Sequence, residues 1–88
     1  MPKTRITEVI DGDTIKGLRN KFIRLAGVDA PEMGTRGGAV AKKELKDMVL
    51  GKTISYTEDA MSYGRIVGEV KLGGKSVNKE MKRIVKKI

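Results

Sequence analysis

Hydrophobic and polar residues alternate along the first third of the chain. Side chains on a strand point to opposite faces in turn, so this alternation predicts strands, with Ile23 and Leu25 on one face and Arg24 on the other. An Asp-Gly pair separates the first two apolar runs and is typical of a hairpin turn. We therefore predict three strands, at Lys3 to Ile10, Thr14 to Leu18 and Lys21 to Val28.

Farther along the chain, hydrophobic residues recur every three or four positions in two stretches, which is the spacing of a helix face. The first helix is expected to follow a flexible loop over Gly34 to Gly38 and to end at Gly51, and Ser76 is a candidate N-cap of the last helix. Two further strands are predicted at Lys52 to Thr57 and Arg65 to Leu72. The expected apolar stripes are Ala41, Leu45, Met48 and Val49 in the first helix and Val77, Met81, Ile84, Val85 and Ile88 in the last.

The predicted element order is β-β-β-α-β-β-α, with short strands and glycine at the bends. This order favours a five-stranded, partly open Greek-key barrel of the OB type with two helices, a mainly β fold of the α+β class. The 88 residues allow a single domain, 1–88. Hydrophobic residues make up 39% of the chain, which together with 11 glycines is the composition of a globular protein rather than a disordered basic tail.

The chain contains no cysteine and no histidine. This excludes a disulfide scaffold, a zinc finger, thiol catalysis and any mechanism with histidine as nucleophile or base. A bound metal would need oxygen ligands, which points to a hard cation such as Ca²⁺ or Mg²⁺. The net charge of +8 predicts a polyanionic partner, with nucleic acid preferred to an anionic membrane. A basic surface that only keeps the protein soluble would give the same net charge.

Three features that the sequence lacks or has in small number bear on the partners and the location of the protein. No apolar run approaches the ~18 residues of a membrane span, so we predict no membrane partner. The N-terminal residues carry no apolar signal segment, as expected of a cytoplasmic protein or of a secreted protein after cleavage. With one Phe, two Tyr and no Trp, the chain offers little material for stacking the bases of a single strand.

Two acidic clusters and two arginines are candidates for chemistry. Residues 11–14 read Asp-Gly-Asp-Thr, a sequence that turn formation alone would also favour, and residues 29–32 read Asp-Ala-Pro-Glu after the third strand. Carboxylates in two such loops would share a cation such as Ca²⁺. Arg24 and Arg65 are candidates for binding phosphate, because a guanidinium can donate two parallel hydrogen bonds to it. The structural alternative for Arg24 is an ion pair with Asp29 or Glu32. The structural alternative for Arg65 is a solvated position at the end of a strand.

Four sequence blocks together resemble the thermonuclease (staphylococcal nuclease) family. They occur in the order and with the spacing of that family, and they are distributed along most of the chain, from Val9 to Asn78, with the loop after Glu32 outside the resemblance. The combination is specific, whereas Asp-Gly-Asp-Thr alone is not. The blocks are Val9 to Thr14, Ile23 to Glu32, Tyr63-Gly64-Arg65 and Gly74 to Asn78.

This resemblance implies an OB barrel with packed helices and Ca²⁺-dependent hydrolysis of phosphodiester bonds in DNA, RNA or both. It implies that Glu32 is the general base or orients the attacking water, and that Gly64 lets the backbone bend so that the next side chain faces the site. The implied roles are metal binding by Asp13, Asp29 and the backbone carbonyl of Ala30, catalysis by Arg24, Glu32 and Arg65, and substrate binding by Arg24, Tyr63 and Arg65.

The chain also departs from the family pattern. Ala30 replaces the usual threonine, which leaves a main-chain ligand but removes a hydroxyl. No counterpart of the family's further C-terminal helix follows Ile88, so the resemblance predicts a short form with weaker substrate binding. A monomer is expected, with a homodimer through the last helix as the alternative.

Two other functions remain open at this point. One is an OB-fold nucleic-acid-binding module with weak or no catalysis, and the other is an oligomerising domain built on the apolar last helix. Calcium-dependent cleavage would distinguish the nuclease from both. Salt-dependent binding without cleavage would identify the binding module.

Overall fold

The computed structural model describes all residues, 1–88, as eight strands, two α-helices and one short 3₁₀ turn. The helices are α1 (Arg36–Val49) and α2 (Val77–Lys86), and the 3₁₀ turn covers Leu18–Asn20. The strands are β1 (Lys3–Asp11), β2 (Thr14–Gly17), β3 (Lys21–Leu25), β4 (Thr53–Tyr56), β5 (Ala60–Ser62), β6 (Arg65–Gly68), β7 (Val70–Leu72) and β8 (Lys75–Ser76).

The sheet closes on itself because β6 and β7 are two halves of one strand, interrupted only at Glu69. The first half pairs with β3 in parallel, and the second half pairs with β4 in the antiparallel direction. On the other side of the barrel, β1 lies between β2 and β4, and β2 pairs with β3. This circuit of five strands confirms the predicted OB-type barrel.

Gly68 allows the long strand to bend where it changes partner. A Cβ at this position would collide with the backbone carbonyl oxygen of Thr57. The same close approach is held by two hydrogen bonds, from Thr57 N to Glu69 O at 3.0 Å and from Glu69 N to Thr57 Oγ1 at 2.9 Å. A side chain at position 68 would therefore push the two segments apart and open the barrel.

Both helices cover the barrel with the apolar stripes that their spacing predicts. The buried members are Ala41, Leu45 and Val49 on α1 and Val77 and Met81 on α2. The rest of the predicted stripes is less covered: Met48, Ile84 and Val85 are partly buried, and Ile88, beyond the end of α2, is 46% exposed. Neither helix has the length and hydrophobicity needed to cross a bilayer.

The strands differ from the prediction in four respects. The third strand ends at Leu25 rather than Val28, because Gly27 has a φ of +74° and turns the chain. The predicted strand over residues 65–72 is divided at Glu69, and the short strands β5 and β8 were not predicted. The first, second and fourth strands end within one residue of their predicted limits.

The first helix begins earlier than predicted. Arg36 already belongs to α1, so the second half of the predicted loop over Gly34 to Gly38 is helical. Thr35 is the N-cap, since its hydroxyl accepts a hydrogen bond of 3.0 Å from the backbone N–H of Gly38. The predicted N-cap of the last helix is confirmed, with Ser76 Oγ accepting from Lys79 N at 3.1 Å.

Candidate active site on three neighbouring strands

Four of the predicted site residues come together where β2, β3 and β6 lie side by side. Asp13 directly precedes β2, whose first residue, Thr14, is paired with Arg24 on β3. Arg65 is the first residue of β6, the parallel neighbour of β3. Asp29 lies in the loop that follows β3. The barrel closure therefore brings together residues that are distant in sequence.

The Asp13 carboxylate is at the centre of this group, with a side chain only 15% exposed. Its Oδ2 accepts a hydrogen bond of 3.3 Å from the backbone N–H of Ala30, and its Oδ1 accepts one of 3.1 Å from the hydroxyl of Thr14. Burial, and after it the neighbouring Asp11 carboxylate, raises the pKa of Asp13 above its usual value. An ionised carboxylate in such a place is stabilised by an added cation.

The guanidinium of Arg24 bridges Asp13 and Asp29. Its Nη2 lies 3.1 Å from Asp29 Oδ1 and 3.6 Å from Asp13 Oδ2. The same side chain donates to the carbonyls of Val28, at 3.0 Å, and Leu25, at 3.3 Å. The ion pair with the second acidic cluster, which the sequence offered as an alternative, is thus present, and it also fastens the turn after β3.

Arg65 reaches Thr14, and through it Asp13, from β6, which lies on the other side of β3 from β2. Its Nη1 donates to Thr14 Oγ1 at 3.4 Å, and its Nε donates to the carbonyl of Ser62 at 3.4 Å. Because Thr14 also donates to Asp13, both arginines are joined to one carboxylate through a continuous network. A fixed guanidinium of this kind has its orientation set before any anion arrives.

The turn before Arg65 presents an aromatic ring to solvent. Tyr63 is 97% exposed and has a φ of +51°, and Gly64 follows with a φ of +76°. A left-handed conformation is costly for tyrosine and easy for glycine, so the turn depends on Gly64 more than on its neighbour. No other large hydrophobic side chain of the protein is as exposed as Tyr63.

Glu32 stands apart from this network. Its side chain is exposed, and its carboxylate makes no hydrogen bond or ion pair. Its backbone is fixed, since its carbonyl accepts from Thr35 Oγ1 at 2.6 Å and from Thr35 N at 3.3 Å. A Cβ at Gly38 would collide with this carbonyl, so the start of α1 holds the Glu32 backbone closely.

The oxygen atoms of Asp13 and Asp29 are of the type that a hard cation prefers, but they do not form a complete coordination shell. No group of three or more acidic side chains lies together in a metal-binding arrangement. Asp13 and Asp29 offer two carboxylates next to Arg24 Nη2, at 3.6 Å and 3.1 Å, and the backbone N–H of Ala30 donates to Asp13. Carboxylates, carbonyls and water are the ligands that Ca²⁺ takes in proteins. The donors therefore fit such an ion once Arg24 releases at least one carboxylate.

Two residues that position the site were not predicted from the sequence. Thr14 was noted only as part of a motif, yet its hydroxyl links Arg65 to Asp13. Asn78 is buried on α2, where its Oδ1 accepts from Val70 N at 2.9 Å and its Nδ2 donates to the carbonyls of Ala26 and Gly68, each at 3.0 Å. A polar residue beside the apolar stripe of a helix was the available signal for Asn78.

Comparisons with known proteins identify the family to which the chain is similar. A family model described as "Staphylococcal nuclease homologue" matches residues 22–84. The chain is 38% identical over 69 residues to a micrococcal nuclease of Shigella flexneri, covering 74% of this chain and 40% of that protein. It is 38% identical over 84 residues to an uncharacterized endonuclease of Escherichia coli, covering 90% of this chain and 55% of the relative.

The similarity extends to plants. A staphylococcal-like nuclease of Arabidopsis thaliana is 46% identical over 68 residues, which is 73% of this chain and 20% of that protein. The chain therefore spans about half of the bacterial relatives, or less, and a fifth of the plant relative. Matched residues 22–84 include Arg24, Asp29 and Arg65, and the Asp13 turn lies before them.

Proposed function

The chain belongs to the staphylococcal nuclease homologue family, and on that premise we propose that it is a Ca²⁺-dependent nuclease that hydrolyses phosphodiester bonds of DNA, RNA or both. The observation that carries the proposal is the single network that joins Asp13, Arg24, Asp29 and Arg65. It places two carboxylates and two guanidiniums around one small region of surface. The two carboxylates suit a cation, and the two guanidiniums suit the phosphate next to it.

Asp13 and Asp29 are the metal ligands in this proposal, with the backbone carbonyl of Ala30 as a third. When bound, Ca²⁺ supplies positive charge next to the phosphate and lowers the cost of the charge that develops in the transition state. Burial and the nearby Asp11 carboxylate raise the pKa of Asp13, and a bound cation would offset both effects by stabilising the ionised form. Arg24 exchanges at least one carboxylate for the phosphate when metal and substrate are present.

Arg24 and Arg65 bind the scissile phosphate. The pentacoordinate transition state of phosphodiester hydrolysis carries one negative charge more than the ground state, so cations that are already oriented stabilise it preferentially. The bonds to Thr14 and to the turn after β3 hold the two guanidiniums in place before substrate binds. Removal of one such group costs about 10²–10³ in kcat in enzymes that rely on electrostatic stabilisation.

Glu32 directs or deprotonates the attacking water, and Tyr63 contacts the nucleotide. An exposed carboxylate that no other group engages is available to a water molecule, and its backbone is anchored at the start of α1. The exposed ring of Tyr63 lies two residues before Arg65, next to the phosphate that Arg65 would bind. Both assignments rest on the family resemblance together with these positions.

A nucleic-acid-binding module without catalysis is the second candidate. It is favoured by the bridge of Arg24 to both carboxylates and by the absence of three grouped acidic side chains. The two candidates differ in whether calcium changes the fate of bound nucleic acid. Binding without cleavage, at any metal concentration, would assign the module.

The test is degradation of single-stranded DNA with Ca²⁺, with Mg²⁺ and with chelator. Glu32→Gln and Arg65→Ala should each lower the Ca²⁺-dependent rate about 100-fold or more. Glu44→Gln on α1 and Arg5→Ala on β1 are the matched controls, since both side chains are exposed and outside the network. Equal activity in all variants would reveal a contaminating nuclease and overturn the proposal.

A further inference from the structure

The exposed side of α2 is a continuous basic surface, defined here as the α2 basic face and formed by Lys79, Lys82, Arg83 and Lys86. These residues are three, four and seven positions apart, so they share one side of the helix. Together with Glu80 they line a shallow groove of about 330 Å³. On the opposite side of α2, Val77 and Met81 are buried in the core, so these residues are closed to any partner.

Most of the positive charge in this groove is unpaired. Glu80 is its one acidic residue, and its carboxylate lies 2.6 Å from Arg83 Nη2. The hydrogen bond and charge of Arg83 lower the pKa of Glu80, so Glu80 is ionised and already neutralised at neutral pH. Lys79, Lys82 and Lys86 have no carboxylate within ion-pair distance. Three like charges on one helix face repel each other until an anion covers them.

The α2 basic face begins directly beside the candidate active site. A Cβ placed on Gly27 would lie 2.9 Å from Lys82 Nζ, so the ammonium group is over the turn that follows β3. Asp29 is two residues farther along that turn. Asn78, also on α2, donates to the carbonyl of Ala26 in the same turn at 3.0 Å, which fixes the helix against it. The groove and the site are thus held in one orientation.

We infer that the α2 basic face binds the sugar-phosphate backbone of the nucleic acid strand whose scissile phosphate lies at Arg24 and Arg65. This inference rests on the proposed function for the position of the scissile phosphate, but not for the binding itself. From Lys79 to Lys86 the helix rises about 10 Å, at ~1.5 Å per residue, which corresponds to roughly three nucleotides of a stacked strand at ~3.4 Å each. Lysines contact phosphate without reading bases, so the surface binds without sequence preference.

An anionic membrane fits this surface less well. A helix that lies on a membrane inserts an apolar face beside its basic one. Most of the apolar face of α2 is already used, since Val77 and Met81 are buried against the barrel and Ile84 and Val85 pack partly against the same core. A basic face whose apolar neighbours mostly pack inward matches an extended polyanion in solution.

The test compares two triple variants that both lower the net charge by three. One is Lys79→Gln/Lys82→Gln/Lys86→Gln, and its matched control changes to glutamine three exposed, unpaired lysines that lie on or next to strands and outside the α2 basic face, namely Lys3, Lys52 and Lys71. Binding of a fluorescent single-stranded 12-mer is measured by anisotropy in chelator, over a range of salt. No cleavage is needed for this measurement.

The first variant should bind the 12-mer at least about tenfold more weakly than the control, and its plot of log K against log salt should be shallower by about 2, at ~0.7 per lost phosphate contact. Glu80→Gln, which releases Arg83, should bind the 12-mer more tightly than the unaltered protein. Ca²⁺-dependent cleavage of a dinucleotide, which can contact no more than the near end of the α2 basic face, should fall much less in the first variant than cleavage of the 12-mer.

Equal loss of affinity in the two triple variants would overturn the inference, because the effect would then be one of overall charge. Retained binding of the 12-mer, with loss of binding to phosphatidylglycerol vesicles, would assign the surface to a membrane instead. Failure of the dinucleotide to be cleaved even by the unaltered protein would contradict the proposed nuclease, while the anisotropy result would still decide the role of the α2 basic face.

Discussion

Arg65 donates a hydrogen bond of 3.4 Å to the hydroxyl of Thr14, although the two residues are 51 positions apart. Thr14 in turn donates to Asp13 at 3.1 Å, so the same hydroxyl accepts from a proposed phosphate ligand and donates to a proposed metal ligand. A hydroxyl can do both because it carries one donor and two acceptor sites. Thr14 is therefore a positioning residue between the two halves of the site.

Thr14→Val should lower kcat for cleavage about tenfold while leaving the fold intact. Valine keeps the shape of threonine at this buried position but removes both hydrogen bonds, each worth about 1 kcal/mol or somewhat more. Arg65 then loses its fixed orientation, and Asp13 loses a donor. Steady-state kinetics with DNA and Ca²⁺ measure the effect.

The matched control for this change is Thr4→Val. Thr4 is also buried, and its hydroxyl accepts from Leu18 N at 3.0 Å. It lies near the start of β1, whereas the Asp13 turn follows the end of that strand. Its replacement should lower stability by about 1 kcal/mol without changing kcat. If both variants lost activity in proportion to stability, Thr14 would be a structural residue only.

Asp13→Asn should raise the melting temperature of the metal-free protein at neutral pH. The pKa of Asp13 in the folded protein is raised, chiefly by burial, so the folded state favours the protonated form. The contribution of this group to stability is thus greatest at low pH and is lost as the pH rises through the raised pKa. Asparagine removes the buried negative charge and with it this loss. Thermal unfolding in chelator between pH 3 and 8 measures the difference.

Calcium should reverse the order of the two proteins. Ca²⁺ binds the folded state and stabilises it by mass action, and this gain should be large for the unaltered protein and small for Asp13→Asn. Loss of a direct ligand should weaken Ca²⁺ binding at least as much as the ~10–100-fold that changes around a metal site typically cost. A lower melting temperature of the variant in chelator at pH 7 would contradict this account of Asp13.

Asn78→Ala should lower the free energy of unfolding by about 2–4 kcal/mol. The change leaves the Val70 N–H and the Ala26 carbonyl without the partner that Asn78 supplies, at roughly 1–3 kcal/mol for each group that stays unsatisfied. The Gly68 carbonyl also loses Asn78 but still accepts from Ala26 N at 3.0 Å. Urea denaturation followed by circular dichroism measures the loss. Asn20, the other asparagine, is exposed, and Asn20→Gly should change stability by less than ~0.5 kcal/mol. Comparable effects at both positions would show that the buried bonds contribute little.

Much of the barrel was predictable because apolar and polar residues alternate along several of its strands. Alternation at Ile23, Arg24 and Leu25 correctly placed two side chains in the core and one at the surface. The break at Glu69 was not predictable in this way. It results from a change of partner between two distant strands and from the close approach of Thr57 to Gly68, neither of which leaves a periodic signal.

The candidate site shows the same division. Asp13, Asp29, Arg24 and Arg65 were identified from sequence blocks, and the structure brings them together. The bridge of Arg24 to both aspartates was only partly anticipated, because the sequence offered a pairing with the second acidic cluster alone. Charges attract whichever opposite charges the fold brings near, and that proximity is set by the barrel closure rather than by spacing along the chain.

Arg24→Gln should change two measurable properties in opposite directions. Its guanidinium lies within 3.6 Å of Asp13 and 3.1 Å of Asp29, so it would compete with a cation for both carboxylates. Replacement by neutral glutamine removes this competition and the charge repulsion that accompanies it, and Ca²⁺ should bind several-fold more tightly. Cleavage should nonetheless fall by about 10²–10³, because a group that stabilises the transition state is gone.

Isothermal titration with Ca²⁺ and a cleavage assay on the same protein preparations separate these effects. Arg19→Gln is the matched control, since Arg19 is exposed in the 3₁₀ turn and has no carboxylate partner, and it should change neither property. If Arg24→Gln weakened Ca²⁺ binding, the guanidinium would be holding the carboxylates in position for the metal rather than competing with it. If cleavage were unchanged, the phosphate would be bound without Arg24, and Arg24 would be a structural residue of the turn after β3.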